Sequence, residues 1–355
     1  MDSNKHLIIM AGGVGSRFWP MSTPECPKQF IDVLGVGKTL LQLTVDRFAG
    51  CVPQSNIWVV TSASYFGNVK EQLPFVADDH ILLEPCMRNT APCIAYVTWK
   101  IRKLCPDAVM VVSAADHIVV DTAEFKRVAK QSLDFVAHHN NILTLGMIPN
   151  RPETGYGYIK SVEKFDGNPI RIAEFKEKPD HDTAVKYIKE GNYYWNAGIF
   201  FWNMATITKA LRDNAPDIAD VFDSVNDDLF TTREQEVIDR IYPNCRNISI
   251  DYAVMEKADD AFVLPASFGW SDLGTWGSLH TQLNHDDCDN SFVGGEIRFI
   301  ESTNCIVRMP EGKSVVIQGL DGYIVAENDN KLLICRLEDE QRIKEFSSKL
   351  DKKPH

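Results

Sequence analysis

Over its first 150 residues the chain alternates short, continuous apolar runs with longer stretches of helical period, and no other feature narrows its fold as much. The runs at 7–11, 57–61, 81–83, 109–113 and 142–146 predict strands, each too short for a stable helix. The stretches 39–49, 64–73, 91–104 and 123–138 predict helices. In the first of them Leu40, Leu41, Leu43, Val45 and Phe48 form the apolar face. Strands that are apolar on both faces need cover on both faces, and intervening helices supply it through parallel crossovers. The expectation is an α/β fold with a doubly wound, mostly parallel sheet. Its ligand crevice would lie beyond the carboxyl ends of the strands.

Past residue 150 the pattern loosens. Strands are expected at 156–161, 170–175 and 199–202, a helix at 183–189, and helical structure through 204–242. From about residue 291 the texture turns to short strands between turns, at 305–309, 314–318, 323–326 and 332–336, before a charged helix at 338–349. The polar run Asp286-Asp287-Cys288-Asp289-Asn290 suggests a boundary, with one domain over 1–288 and a small β-rich domain over 289–355.

With 44% hydrophobic and 24% charged residues the chain can bury a core, so disorder is excluded as its main state. A net charge of −12 argues against a nucleic-acid partner, which needs a basic face. It does not argue against one phosphorylated small molecule, for which a few amides and cations suffice. No apolar run approaches the roughly 18 residues of a spanning helix, and the first strand lacks the flanks of a signal peptide. No membrane partner and a cytoplasmic location are therefore expected. The nine cysteines are scattered with no Cys-x-x-Cys pair, which argues against zinc and dithiol redox sites and for reduced thiols.

Directly after the first strand comes Ala11-Gly12-Gly13-Val14-Gly15-Ser16-Arg17. Gly12, Gly13 and Gly15, with Ser16, let backbone amides approach a polyphosphate, and Arg17 and Lys28 can neutralise its charge. The same residues also suit a plain strand-to-helix turn. A dinucleotide fingerprint fails here because Phe18 stands where its third glycine belongs. Gly35-Val36-Gly37-Lys38-Thr39 fails as a P-loop because Asp32 stands at its first glycine. Asp116, in Ala115-Asp116-His117, ends a strand and can hold a hard cation or act as a cap, while His117 reads as a packing or supporting residue. In Lys176-Glu177-Lys178-Pro179, Glu177 can accept from sugar hydroxyls and Lys178 can meet a phosphate, unless the triplet is only a solvated face. Gly155-Tyr156-Gly157-Tyr158 and Trp195-Asn196-Ala197-Gly198 are turns or sugar contacts. Asp272, in Gly269-Trp270-Ser271-Asp272, caps a helix or binds metal.

Taken in order, these segments resemble the sugar-nucleotide pyrophosphorylases and, within them, the GDP-mannose branch. The resemblance is carried by residues 12–20 with Pro27-Lys28-Gln29-Phe30, by Glu84-Pro85 with Arg88-Asn89-Thr90-Ala91-Pro92, and by Ser249-Ile250-Asp251-Tyr252. The segments around Asp116, Glu177, Asn196 and Asp272 complete it over about residues 7–285, while Met87, Cys93 and Ala114 depart from the family pattern. It implies a Rossmann-like nucleotidyltransferase fold and an enzyme that joins mannose 1-phosphate and GTP into GDP-mannose and pyrophosphate. It also implies roles. Gly12, Gly13, Gly15 and Ser16 would wrap the triphosphate, with Arg17 and Lys28 on its charge. Asp116 and Asp272 would share Mg2+. Glu177 and Asn196 would hold mannose hydroxyls with Gly157 behind the ring, and Lys178 would grip the sugar phosphate. Asn89 and Thr90 would lie near the guanine. The resemblance further implies a β-helix-like C-terminal domain that serves a homodimer. Longer relatives carry an isomerase domain after the transferase, for which this chain is too short, so no isomerase activity is expected. Two alternatives stay open: another sugar phosphate and nucleotide pair, or a catalytically silent sugar-nucleotide sensor.

Overall fold

The computed structural model describes residues 3–13, 15–176 and 178–350. Its first strands are β1 (Lys5–Met10), β2 (Ile57–Ser62), β3 (Ile81–Glu84), β4 (Val109–Ala114), the short β5 (Ile118–Val119) and β6 (Ile142–Met147). There follow β7 (Tyr158–Ser161), β8 (Ile170–Lys176), β9 (Tyr193–Asn203), β10 (Ala261–Ala266) and the short β11 (Trp270–Ser271). The last six are β12 (Ser291–Val293), β13 (Glu296–Ile300), β14 (Ile306–Arg308), β15 (Ser314–Gln318), β16 (Tyr323–Asn328) and β17 (Lys331–Arg336).

The chain divides into two compact units, one of residues 1–12, 45–115 and 119–270, the other of residues 13–44, 116–118 and 271–355. The division does not follow the expected 288/289 boundary. Residues 13–44 and 271–288 group with the C-terminal strands, because Phe18, Met21, Leu40 and Trp276 share one apolar cluster with Ile306, Ile324 and Leu333.

The first unit is built on a nine-stranded sheet in the order β3-β2-β1-β4-β9-β6-β10-β8-β7. The pairs β3–β2, β2–β1, β1–β4 and β6–β10 are parallel, as the continuous apolar runs require. One face is covered by the helix Thr90–Leu104, whose buried Ile94, Val97, Trp99 and Ile101 join Trp58, Met110 and Trp202 in a single core.

Two strands of this sheet depart most from expectation. Strand β9 starts at Tyr193 rather than 199, so Asn196 lies within a strand and not in a turn. It is antiparallel to β4 and β6, which makes the sheet mixed. A register shift between Thr144 and Gly146 lets this long strand bend. At Gly146 an added Cβ would fall 2.5 Å from Val263 Cγ2, so only glycine allows so close an approach. Strand β10 was hidden by Pro265, which cannot donate to a ladder. It sits opposite Gly146 in the ladder with β6, and it is tolerated because β8 pairs only with Phe262 and Val263, so no strand on that side needs its missing N–H.

In the second unit β12, β14 and β16 stack in parallel with β17 antiparallel at the edge, and β13 pairs in parallel with β15. Strands β12 and β13 add to the four expected. The nine cysteines are unpaired, and no described helix is long and apolar enough to cross a membrane.

Candidate active site

The expected site residues fall into both units, and each group has its own geometry. In the second unit Gly15 takes a left-handed backbone with φ 65°, and an added Cβ would lie 2.8 Å from Lys28 Cβ. Only glycine lets the loop lie down on the lysine there. Gln29 Nε2 donates to the Gly13 carbonyl at 2.9 Å, and Phe18 N to Gly15 O at 3.0 Å, which fixes the loop from both ends. Ser16 is half-buried and opens a single 3-10 turn, whereas Gly13 and Arg17 are exposed. Val14 lies outside the described residues.

Lys28 is 3% exposed, which for an ammonium demands that its donors be answered. They are: Asp116 Oδ2 lies at 3.0 Å, Leu273 O at 2.8 Å and Asp272 O at 3.1 Å. The Asp116 carboxylate and the main-chain carbonyl of Asp272, from distant parts of the sequence, therefore meet at one cation. Burial alone would raise the Asp116 carboxyl, but Lys28 and then His117, whose Nε2 is 3.9 Å away, outweigh it and hold the group below the usual carboxylate range. Asp272 Oδ1 accepts from Gly274 N at 3.0 Å. Leu273, between them, takes a φ of 48°, a costly conformation for a branched residue. It is held there by its buried side chain, by Ser271 Oγ on its N–H and by Lys28 on its carbonyl. Two partly exposed carboxylates suit Mg2+, which is held by one or two carboxylates and completes its octahedron with water and phosphate oxygens.

In the first unit Gly12 follows β1, with its neighbour Ala11 fixed by Val60 O and Thr61 Oγ1 at 2.8 Å each. An added Cβ on Gly12 would lie 3.3 Å from Glu84 Oε2, so the carboxyl at the end of β3 lies against the glycine. Glu84 Oε1 accepts the phenol proton of Tyr242. Burial pushes this carboxyl up from 4.5 to about 7, against the pull of the Tyr242 bond. The following loop is braced by Arg88, whose Nε and Nη2 both donate to Pro243 O, at 3.0 and 2.5 Å. Asn89, exposed and at φ 65°, caps the helix Thr90–Leu104 through Oδ1 to Thr90 N at 2.9 Å. Thr90 Oγ1 accepts from Ile250 N at 2.8 Å, and Ala91 N donates to Ile248 O at 3.1 Å.

That clamp sets the next group of residues. Asp251, in the short helix Ile250–Ala253, accepts from Asn196 Nδ2 at 2.8 Å, while Asn196 N donates to Gly157 O at 2.9 Å. Gly157, Asn196 and Asp251 thus stand together. Tyr156 sets an aromatic wall nearby, with its ring 5.3 Å from Trp195 and 5.1 Å from Trp270, both edge-on. Lys178 is exposed just past the end of β8, and Glu177 lies outside the described residues. Sequence reasoning assigned no role to Glu84 or Asp251. Both stand in segments it singled out, and an acid at a strand end or a helix start was the available signal.

A sequence-family profile described as "Nucleotidyl transferase" matches residues 6–288. The Alginate biosynthesis protein AlgA of Pseudomonas syringae pv. tomato is 35% identical, over 97% of this chain and 71% of its own length. The mannose-1-phosphate guanylyltransferase of Escherichia coli K12 is 34% identical, over 94% of this chain and 71% of its own. A crystal structure described as mannose-1-phosphate geranyltransferase from Thermus thermophilus superposes with a TM-score of 0.89 at 28% identity, covering 98% of this chain and 100% of that one.

Proposed function

The chain belongs to the nucleotidyl transferase family, and from that footing we propose that it joins mannose 1-phosphate and GTP, as a homodimer, to give GDP-mannose and pyrophosphate. A phosphate oxygen of the sugar attacks the α-phosphorus in line. One P–O bond forms there, the α–β bridge breaks, and the electron pair leaves with pyrophosphate. No general base is needed, since a phosphate monoester has a second pKa of about 6 and is largely dianionic at neutral pH. The obstacle is the approach of two anions, which positioned cations offset.

In this reading residues 12–17 carry the triphosphate, with Arg17 as the open cation of the loop, while Lys178 meets the sugar phosphate. Asp116 and Asp272 would hold Mg2+, which when bound neutralises phosphate charge. Lys28 positions both aspartates. Asn196, Gly157 and Asp251 supply acceptors and a donor for sugar hydroxyls, and Glu177 belongs with them by its place in the motif. Glu84 gives a chemical reason for guanine. An ionised carboxylate accepts two hydrogen bonds side by side, and guanine is the base whose pairing edge offers two adjacent donors.

The observation that carries the proposal is the meeting, on one buried lysine, of the Asp116 carboxylate and the main-chain carbonyl of Asp272, in a chain that has relatives named for this reaction. The test is pyrophosphate release across a grid of nucleoside triphosphates and sugar 1-phosphates with magnesium. GTP with mannose 1-phosphate should exceed the other pairs by at least about tenfold, 1.4 kcal/mol of barrier. Faster turnover with another pair would reassign the substrates. Binding of GDP-mannose with no pyrophosphate from any pair would make the chain a sensor.

A further inference from the structure

The second unit holds a cluster of ligating groups that shares no residue with the Lys28, Asp116 and Asp272 group, at the join between the helix Trp276–His280 and β12. His280, His285 and Asp289 each present one ligand atom, and these lie within 4.8 Å of one another. Among the described residues no other group of three such side chains meets this condition.

The hydrogen bonds make the cluster more than a coincidence of side chains. His285 Nε2 lies 2.7 Å from the carbonyl of His280. A carbonyl only accepts, so Nε2 carries the proton. In a neutral ring the other nitrogen, Nδ1, then presents a lone pair, and it faces Asp289 Oδ1 at 3.2 Å. Two acceptors at that distance repel unless something positive joins them. The His280 ring stands beside it, with centroids 4.5 Å apart, and is buried. Its Nδ1 is 2.6 Å from Ser291 Oγ and its Nε2 is 3.3 Å from Asn304 Oδ1. Asn304 Oδ1 only accepts, so Nε2 carries the proton, and Nδ1 is the nitrogen open to an ion once the Ser291 hydroxyl turns aside. The bond to Asn304 then fixes the ring, the usual support of a ligating imidazole.

We propose that His280, His285 and Asp289 form a binding site for a borderline divalent cation of the Zn2+ class, distinct from the Mg2+ pair. Two imidazoles and one carboxylate are a donor set that Zn2+, Co2+ and Ni2+ prefer and that Mg2+ does not. Four-coordinate geometry leaves one position for water. The lack of Cys-x-x-Cys pairs excludes only thiolate versions of such a site. An ion here fastens the end of the helix Trp276–His280 to the chain entering β12.

Co2+ is the probe, titrated into the full-length protein with magnesium in excess to occupy hard oxygen sites. The expected result is one equivalent bound, with a visible d–d spectrum that lacks the intense near-ultraviolet band of thiolate ligation, and a rise in thermal midpoint. His285→Gln and Asp289→Asn, both at exposed positions, should each weaken binding by about tenfold or more. Each should leave magnesium-dependent turnover unchanged. A spectrum dominated by the thiolate band would place the ion on cysteines and overturn the site. So would equal Co2+ affinity in the double variant, or no binding at all. In the last case a histidinium–aspartate pair is the joining charge.

Discussion

A lysine that is 3% exposed must have every donor answered, and Lys28 finds its three acceptors in Asp116, Asp272 and Leu273. Replacing it by methionine keeps the volume and strands two carbonyls and a carboxylate. Lys28→Met should therefore destabilise the fold by about 2–4 kcal/mol, read from the denaturant midpoint. A loss under about 1 kcal/mol would mean that water already serves these oxygens. Asp116→Asn and Asp272→Asn keep the shape and remove only charge. Each should lower magnesium-dependent turnover at least about tenfold, and normal turnover in both would refute the metal assignment. Glu84 makes a prediction of opposite sign in pH. Its carboxyl rises from 4.5 to about 7 on folding, so the folded chain holds that proton more tightly than the unfolded one. The stability this contributes is complete below pH 4.5 and is lost as pH climbs through 7. Glu84→Gln is neutral throughout, so its stability relative to the parent should improve over that window by on the order of 2–3 kcal/mol. A difference that stays flat with pH would show the carboxyl is not perturbed. If the ionised form receives guanine, GTP should also bind the parent more tightly at pH 8 than at pH 6, and Glu84→Gln should lose that dependence.

The helix Thr90–Leu104 works as a clamp, because its first turn takes hold of residues 248–250 and these carry Asp251 to Asn196. Thr90→Val removes the acceptor for Ile250 N without changing the side-chain shape. It should cost about 1–2 kcal/mol and raise KM for the sugar phosphate more than KM for the nucleotide. A rise in the nucleotide KM alone would mean that the clamp serves the base and not the sugar. In the second unit the corner between β12 and β13 depends on Gly294 and Gly295, at φ 69° and 63°. A Cβ at Gly294 would fall 2.3 Å from Met309 O, so Gly294→Ala must open the coil and should cost about 2–4 kcal/mol by thermal or chemical unfolding. At this scale the parallel strands of the first half were legible, because an apolar run such as Leu7-Ile8-Ile9 reports burial on both faces. Strand β9 was legible only in its last residues. Asn196 and Gly198 interrupt its apolar period, and what carries the strand through them is the pairing of Asn196 with β6 and of residues 193–195 with β7, which no local pattern encodes. Pro265 masked β10 in the same way, since its tolerance depends on how far β8 extends.

For the molecule as a whole, the motifs marked most of the candidate site, while the partners within it were not readable. The string around Pro27-Lys28-Gln29 announces a cation, but that its three donors would be spent on Asp116 and the 272–273 carbonyls depends on folding of the entire second unit. Glu84 was similarly silent, because its raised carboxyl reflects burial beside Tyr242, far away in sequence. The grouping of residues 13–44 with the C-terminal strands was equally invisible, being a property of one shared apolar cluster. That grouping bears on the proposed homodimer. Strand β17 is the edge of its four-stranded sheet. Its pleat buries Leu333, so Leu332 and Ile334 point the other way, 54% and 57% exposed. An edge strand with an apolar outer face invites strand pairing, and a second copy of the same edge is self-complementary about a two-fold axis. Leu332→Asp with Ile334→Asp should therefore halve the mass seen by sedimentation to that of one 40.0 kDa chain, with the far-ultraviolet spectrum unchanged. A parent that already sediments as a single chain, or a double variant that keeps twice that mass, would rule out this edge as the dimer interface.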